Sequence, residues 1–386
     1  MRLNTLPSRR NRQRPTLETL EGRQLLALGS EISALVNSTT RNAQFESVNA
    51  SSSNGSSVAV WTDTYSSTDR DIRAQRFDAY GNKSGPEIVI SNSSLDERTP
   101  AVAMDGFGNF VVAWQQRQTN GDTNVVAKRF NAAGAPLGSV VQVGAGTFRE
   151  HDPSVAMDDY GNFVVAYTRD TNNNNPDVFA KRYNFANQLV NVIDVAVSST
   201  AEDNAKIAMT PDGRFNVVWE QTYSVNDHDI YMKRYAASGA LLGTNAIDVS
   251  TSFESRPSIS MDDYGNAVVA WQRTTYGNAD VLARRVNSSG SVGGITTIAA
   301  TSFWESSPSV ALKRTGGAYV VAFTGDVAAG SHVLVAEVSA ADHVTTYDAG
   351  ARMSPSVSFN GAGYYQITYT SNDNGDLNIR RRRGIL

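Results

Sequence analysis

The apolar residues of this chain fall in short blocks, mostly Val and Ala, each closed by an aromatic. The clearest are Phe110–Trp114, Phe163–Tyr167 and Ala267–Trp271, which read FVVAW, FVVAY and AVVAW. Before each stands a polar turn phrase, MDGFGN at Met104–Asn109, MDDYGN at Met157–Asn162 and MDDYGN at Met261–Asn266. A looser copy, MTPDGRFNVVW, occupies Met209–Trp219. Gly and Asn tolerate positive φ, and Asp bonds its own backbone, so each phrase predicts a tight turn between two strands. The block after the turn is apolar on both faces, as in a strand buried on both sides. No helical period runs through any segment.

The closing aromatic sets a period. It falls at Trp61, Trp114, Tyr167, Trp219, Trp271, Phe323 and Tyr369, at intervals of 52 or 53 residues with a last one of 46. Seven units follow. A proline precedes the aromatic by fourteen residues at Pro100, Pro153, Pro257 and Pro355, and by fifteen at Pro308, and is expected to open the first strand. After the second strand comes a polar loop, then a third strand seen in DVFAKRY (Asp177–Tyr183), DIYMKRY (Asp229–Tyr235) and DVLARRV (Asp280–Val286). A Gly turn such as Asn131–Gly138 leads to a weaker fourth strand such as Glu87–Ser91. One four-stranded sheet cannot bury both its faces, but a ring of them can. The expected fold is therefore all-β, a seven-bladed β-propeller with four antiparallel strands per blade. Unit seven lacks a fourth strand, whereas Glu31–Ser38 (EISALVNS) is one strand too many at the other end. Pairing the two closes the ring and hides both edges. The domain boundaries are a basic arm at 1–28 and a propeller at 29–386.

Composition narrows the class. The chain has 386 residues and a net charge of -4, with 40% hydrophobic and 19% charged residues. That balance is globular, has no basic field for nucleic acid and no stretch near the ~20 apolar residues that span a bilayer. Cysteine is absent, which excludes disulfides and thiolate metal sites. The arm, with Arg9, Arg10, Arg12 and Arg14, has too short an apolar run for a secretory signal.

Within the arm, Leu20-Glu21-Gly22-Arg23-Gln24-Leu25-Leu26 resembles the LEPRxLL-type N-terminal signature of planctomycete surface and exported proteins, with Gly22 where that pattern often has Pro. Leu20, Glu21, Arg23, Leu25 and Leu26 carry the likeness, which implies export and a place at the cell envelope. The repeat is also similar to extracellular bacterial repeats that join a D-G-x-F-V-V-x-W core to a [YF]-A-[QK]-R-[FY] strand, here in DIRAQRF (Asp71–Phe77) and NVVAKRF (Asn124–Phe130). Those repeats imply a surface propeller and no single activity.

The candidate chemistry lies on one rim. Loops before the first strand are expected to carry Glu97, Glu150, Glu202, Glu254 and Glu305, and the long second-to-third loops end at Asp71, Asp177, Asp229, Asp280 and Asp376. Such an acidic, Asn-rich rim suits a glycan, or Ca²⁺ as the one candidate ion in a chain with no expected cofactor. The competing reading gives these acids to the neighbouring blade's backbone, or to Arg76, Arg129, Arg182, Arg234, Arg285 and Arg381. Recurrence in most units favours it. The turn phrase lacks the closing Glu of an EF-hand loop and the spacing of a sialidase Asp-box, so Asp158, Asp159, Gly161 and Asn162 read as turn residues.

Catalytic motifs are missing. His151, His228, His332 and His343 share no ligand spacing, and there is no nucleophile elbow, H-E-x-x-H or P-loop. Unit six departs from the repeat, with Ser331-His332 in place of Asp and Glu337 in place of a cation. The expectation is an exported, monomeric, non-catalytic domain without a transmembrane segment, acting in adhesion, scaffolding or binding of a glycan or protein. The alternatives are a carbohydrate-active, glycosidase-like enzyme with carboxylates at the channel mouth, and a purely structural envelope component.

Overall fold

Each sequence repeat folds into one antiparallel group whose strands pair in chain order. In unit three, Glu150–Met157, Phe163–Asp170, Pro176–Tyr183 and Leu189–Ala196 lie side by side. The structure, a computed structural model, describes residues 34–38, 43–66, 68–171, 175–328, 330–373 and 375–386. The arm at 1–28, with Leu20, Glu21, Arg23, Leu25 and Leu26, lies outside the described residues, as do 31–33 of the expected N-terminal strand. The described chain is all-β, and no helix among these residues is long and apolar enough to cross a membrane. Three sheets have four strands. Two have eight, and each of those is a pair of four-stranded groups joined by a single parallel bridge, Arg70 to Asp96 or His228 to Phe253.

The turn phrases behave as their residues require. Asp158 Oδ1 accepts from the backbone N–H of Tyr160 (2.9 Å) and Asn162 (2.8 Å), and Gly161 takes φ 82°. Asp105 and Asp262 repeat the arrangement. The proline does not open the first strand. The strand begins a few residues earlier, as in Asp96–Met104 and Phe253–Met261, and the proline lies within a bulge. A bulge leaves one residue without a ladder partner, so the missing N–H is harmless there.

The hydrophobic core is divided among seven clusters, each between neighbouring units. Val164, Ala166 and Val178 of unit three, for example, pack on Phe215, Val217 and Trp219 of unit four. Trp61, Trp114, Tyr167 and Trp271 are fully buried, as expected for the closing aromatics. The seventh cluster joins Val36 and Ile379 to Ala59, Trp61 and Phe77. Next to it, Ala34 pairs with Arg381 and Leu35 with Arg380, and the N–H of Val36 donates to Ile379 O at 2.8 Å. Asn37 secures this edge by donating to Gln44 (2.7 Å) and Asn378 (2.9 Å) and accepting from the Ile379 N–H (2.9 Å).

The cationic pair in the third strand ties units together. Lys181 donates to Val143 O of the preceding unit (2.5 Å), and Arg182 reaches forward to Ser238 O of the next (2.7 Å). Arg76 and Arg285 do the same with Ala132 O (2.7 Å) and Ser339 O (3.0 Å). In the C-terminal arginine run, Arg383 donates to Tyr80 O (2.6 Å) in unit one, and Arg380 pairs with Asp373 (2.9 Å). These cations cap carbonyls that the strand ladders leave open.

Candidate functional site at the channel mouth

The first strands of the sequence repeats line a shared central space. Near the proline bulges it holds a cavity of about 420 Å³, lined by Glu46, Thr99, Ser154, Lys206, Ser307 and Ser354 among others. Each first strand bulges at the same place, and the bulged residue takes a left-handed backbone. These are Glu46 (φ 54°), Thr99 (50°), Asp152 (49°), Asn204 (53°), Arg256 (53°), Ser307 (54°) and Ser354 (52°). A non-glycine residue held there costs about 1–2 kcal/mol, and a bulge re-aims the side chain. Seven repeats thus present six different polar side chains around one mouth, with Ser used twice.

The acids expected to form the binding rim do not line this cavity. They sit inside strands rather than loops, and eight of the ten are buried: Asp71, Asp177, Asp229, Glu97, Glu150, Glu202, Glu254 and Glu305. Asp280 is half-buried and Asp376 exposed. The glutamates accept from the hydroxyl four residues upstream, Ser250 Oγ to Glu254 at 2.6 Å, with Ser93–Glu97, Ser198–Glu202 and Thr301–Glu305 equivalent. Asp177 and Asp229 accept the loop N–H of Ser198 and Ser250, each at 3.3 Å. Burial, the largest influence in each case, pushes the carboxyls of Glu97, Glu202, Glu254 and Glu305 above their ordinary range. Unit three has Gly146 where the others have a hydroxyl, and Glu150, whose nearest cation is Arg169 at 3.5 Å, is pushed up to about 7. Asp71, buried beside Glu97, rises to about 6. The strand-three arginines expected as partners are engaged with carbonyls at the opposite rim. In unit six, Glu337 accepts from Tyr365 Oη (2.6 Å) and His332 pairs with Asp348 (2.8 Å), so its departures from the repeat also serve contacts between strands.

The mouth gathers residues that the sequence had left scattered. His151 Nδ1 lies 2.8 Å from Asp152 and its Nε2 lies 3.0 Å from Asp170. A carboxylate at each nitrogen favours the imidazolium form, in which both nitrogens donate. Burial opposes that charge, but the hydrogen bonds and charges of Asp152, Asp170 and Asp203 outweigh it and raise the His151 pKa. Burial likewise opposes ionisation of Asp152, yet the His151 hydrogen bond and the charges of Lys206, His151 and Arg149 hold its carboxyl below the usual range. Ligand-type atoms of His151, Asp152 and Asp203 lie within 4.8 Å of one another, and no other such trio occurs among the described residues. Both His151 nitrogens are already engaged, so the cluster is better built for proton chemistry than for an ion. Asp203 accepts from Thr168 Oγ1 (2.9 Å) and the Asn204 N–H (2.7 Å).

A second cluster adjoins it. Buried Glu220 binds His228 Nδ1 at 2.7 Å and accepts from Asn204 Nδ2 (2.9 Å) and the Arg256 N–H (3.3 Å), while His228 stacks on Phe253 with ring centres 4.0 Å apart. Sequence reasoning missed both clusters. The available signal was the residue before each proline, which varies among units that otherwise repeat.

No protein-family model matches the chain, and no curated protein matches it. Solved structures do. The phage phi92 endosialidase aligns over 92% of this chain and 69% of its own at 8% identity and TM-score 0.54. The Hadza microbial sialidase Hz136 aligns over 89% and 66% at 12% identity and TM-score 0.53. The Penicillium chrysogenum α-L-arabinanase, solved with arabinobiose, aligns over 82% and 98% at 13% identity and TM-score 0.50. At these identities the likeness establishes a β-propeller-like fold. The proteins that share it are mostly carbohydrate-active enzymes, which overturns the expectation of a non-catalytic adhesion, binding or scaffolding domain.

Proposed function

We propose that the chain is a carbohydrate-active, glycosidase-like enzyme whose chemistry is carried by Asp152 and Asp203 at the channel mouth. The observation that carries this reading is the placing of two solvent-reaching carboxylates, within 4.8 Å of each other, beside an imidazolium that keeps one of them ionised. Glycosidic cleavage needs such a pair, with one member charged and the other able to give a proton. The step requires the bound glycan to meet Asp203 carrying a proton: Asp152, held ionised, then attacks the anomeric carbon as the glycosidic C–O bond breaks, and Asp203 gives that proton to the departing oxygen. Water then gives a proton back to Asp203 and its oxygen to the anomeric carbon, releasing Asp152 and a hemiacetal. The short separation is near the ~5 Å of retaining enzymes, so the product keeps its anomeric configuration. The test is release of reducing ends from a panel of plant, bacterial and animal glycans, with the product anomer read by proton NMR. Release with retention supports the reading, and no release from any glycan contradicts it.

The same reading includes a seven-bladed ring spanning 29–386, monomeric and shut by its N-terminal strand. The Ala34–Arg381 and Leu35–Arg380 pairs and the Val36 cluster support that closure. It also includes export to the envelope on the strength of the arm's Leu20, Glu21, Arg23, Leu25 and Leu26, where an extracellular glycan would be the partner.

A further inference from the structure

Beside the carboxylates, units four, five and six enclose a cleft of about 880 Å³, lined by Asn204, Glu220, Arg256, Gln272, Tyr276 and Trp304 among others. Its size lies within the ~300–1,000 Å³ of small-molecule sites. Three features point to an occupant. Gln272 is 4% exposed, and its Oε1 has no hydrogen-bond partner among the described residues, while its Nε2 donates to Thr274 Oγ1 (3.3 Å). A buried amide oxygen left bare costs stability unless something fills it. Arg256 is exposed, and its guanidinium bonds only Ser307 Oγ (2.6 Å) and has no carboxylate partner among the described residues. Tyr276 stands at a strained hairpin tip (φ 50°) with its ring fully in solvent, and Trp304 is 42% exposed.

We infer that this cleft is a subsite for a saccharide that carries a carboxylate. Flat aromatic faces take the apolar faces of sugar rings, and a bare buried amide oxygen accepts from a sugar hydroxyl. An unpaired guanidinium selects a planar anion by a bidentate bond. Asn204 belongs to both regions, hydrogen-bonded to Glu220 and next in sequence to Asp203, so a chain bound in the cleft extends toward the reacting pair. The inference rests on the glycan-processing reading for the kind of ligand, but not on Asp152 or Asp203 for affinity.

The test is calorimetric titration of the full chain with oligogalacturonate, a hyaluronan oligosaccharide and a sialyl-oligosaccharide, each beside its carboxyl-reduced counterpart. At least one carboxylated member is expected to bind at least tenfold more tightly than its reduced form. R256Q is expected to erase that preference, R256K to restore part of it, and Y276A to weaken binding about fivefold, all with unchanged melting temperature. The inference is overturned if no member binds, if only neutral members bind, or if R256Q leaves the preference intact. Binding without release of reducing ends would sink the catalytic reading alone. Hydrolysis that prefers neutral glycans and ignores R256Q would sink the subsite alone.

Discussion

Two rings of polar residues occupy the same end of the molecule, and they differ in what the repeat does to them. The first ring is the set of buried glutamates, Glu97, Glu150, Glu202, Glu254 and Glu305. Its residue type is constant, its side chains are hidden, and most of its members bond a hydroxyl four residues away. The second ring is the set of bulged residues from Glu46 to Ser354. Its backbone is constant, but the side chain changes from Glu to Thr, Asp, Asn, Arg and Ser. A residue that five of the seven units keep answers a need those units share, the fixing of the loop between neighbours. A position whose strained backbone is kept while its side chain varies is free to serve one site. Recurrence therefore marks the scaffold, and variation on a fixed backbone marks the chemistry.

The largest effect is expected at Asp203, which stands beside the bulged Asn204 and within 4.8 Å of Asp152. D203N removes the proton donor and is expected to slow glycan hydrolysis by about 10²–10⁴-fold, with unfolding unchanged in a thermal melt. A variant that melts early instead would place Asp203 with the scaffold. Asn37→Ala tests the constant side at the junction of the termini. Three buried hydrogen bonds are lost, and unfolding in urea should show a loss of about 3 kcal/mol, with kcat unchanged.

Glu150 sharpens the picture through pH. Its pKa in the fold, about 7, lies above its unfolded value, so its favourable contribution is complete while it is protonated, below about pH 4.5. That contribution is lost as pH rises through 7. Glu150→Gln, which cannot ionise, should gain on the wild type by about 2 kcal/mol between pH 5 and 8 in urea titrations. A constant difference across that range would mean that burial does not govern this carboxyl. The smallest effect belongs to Ser250→Ala, which removes one bond to Glu254 and should cost about 1 kcal/mol in the same assay, without touching hydrolysis.

The architecture was legible because it is written many times. Asp158, Gly161 and Asn162 specify a turn by their own chemistry, and the aromatic period counts the units without any tertiary information. The pairing of Ala34 and Leu35 with the last strand was legible too, since a surplus strand at one end and a missing one at the other imply each other. The site was not. His151 and Asp170 meet across paired strands of unit three, and only the packing of the third unit against the fourth brings Asp203 within reach. Asp152 stood in plain view before Pro153, but the bulge that turns it into the mouth depends on the proline's place inside the strand. The glutamates went the way that recurrence favoured: repetition made them conspicuous, and burial makes them structural.

The most direct measurement pairs one residue from each ring in a single preparation series, Asp152→Asn and Glu254→Ala, each assayed for reducing-end release and for melting temperature. The account predicts that D152N loses hydrolysis and keeps its melting temperature. E254A, stripped of its bonds from Ser250 and Arg273, should lose several degrees and keep its turnover below the melt. The opposite pattern, with D152N active but unstable and E254A stable but inert, would contradict it.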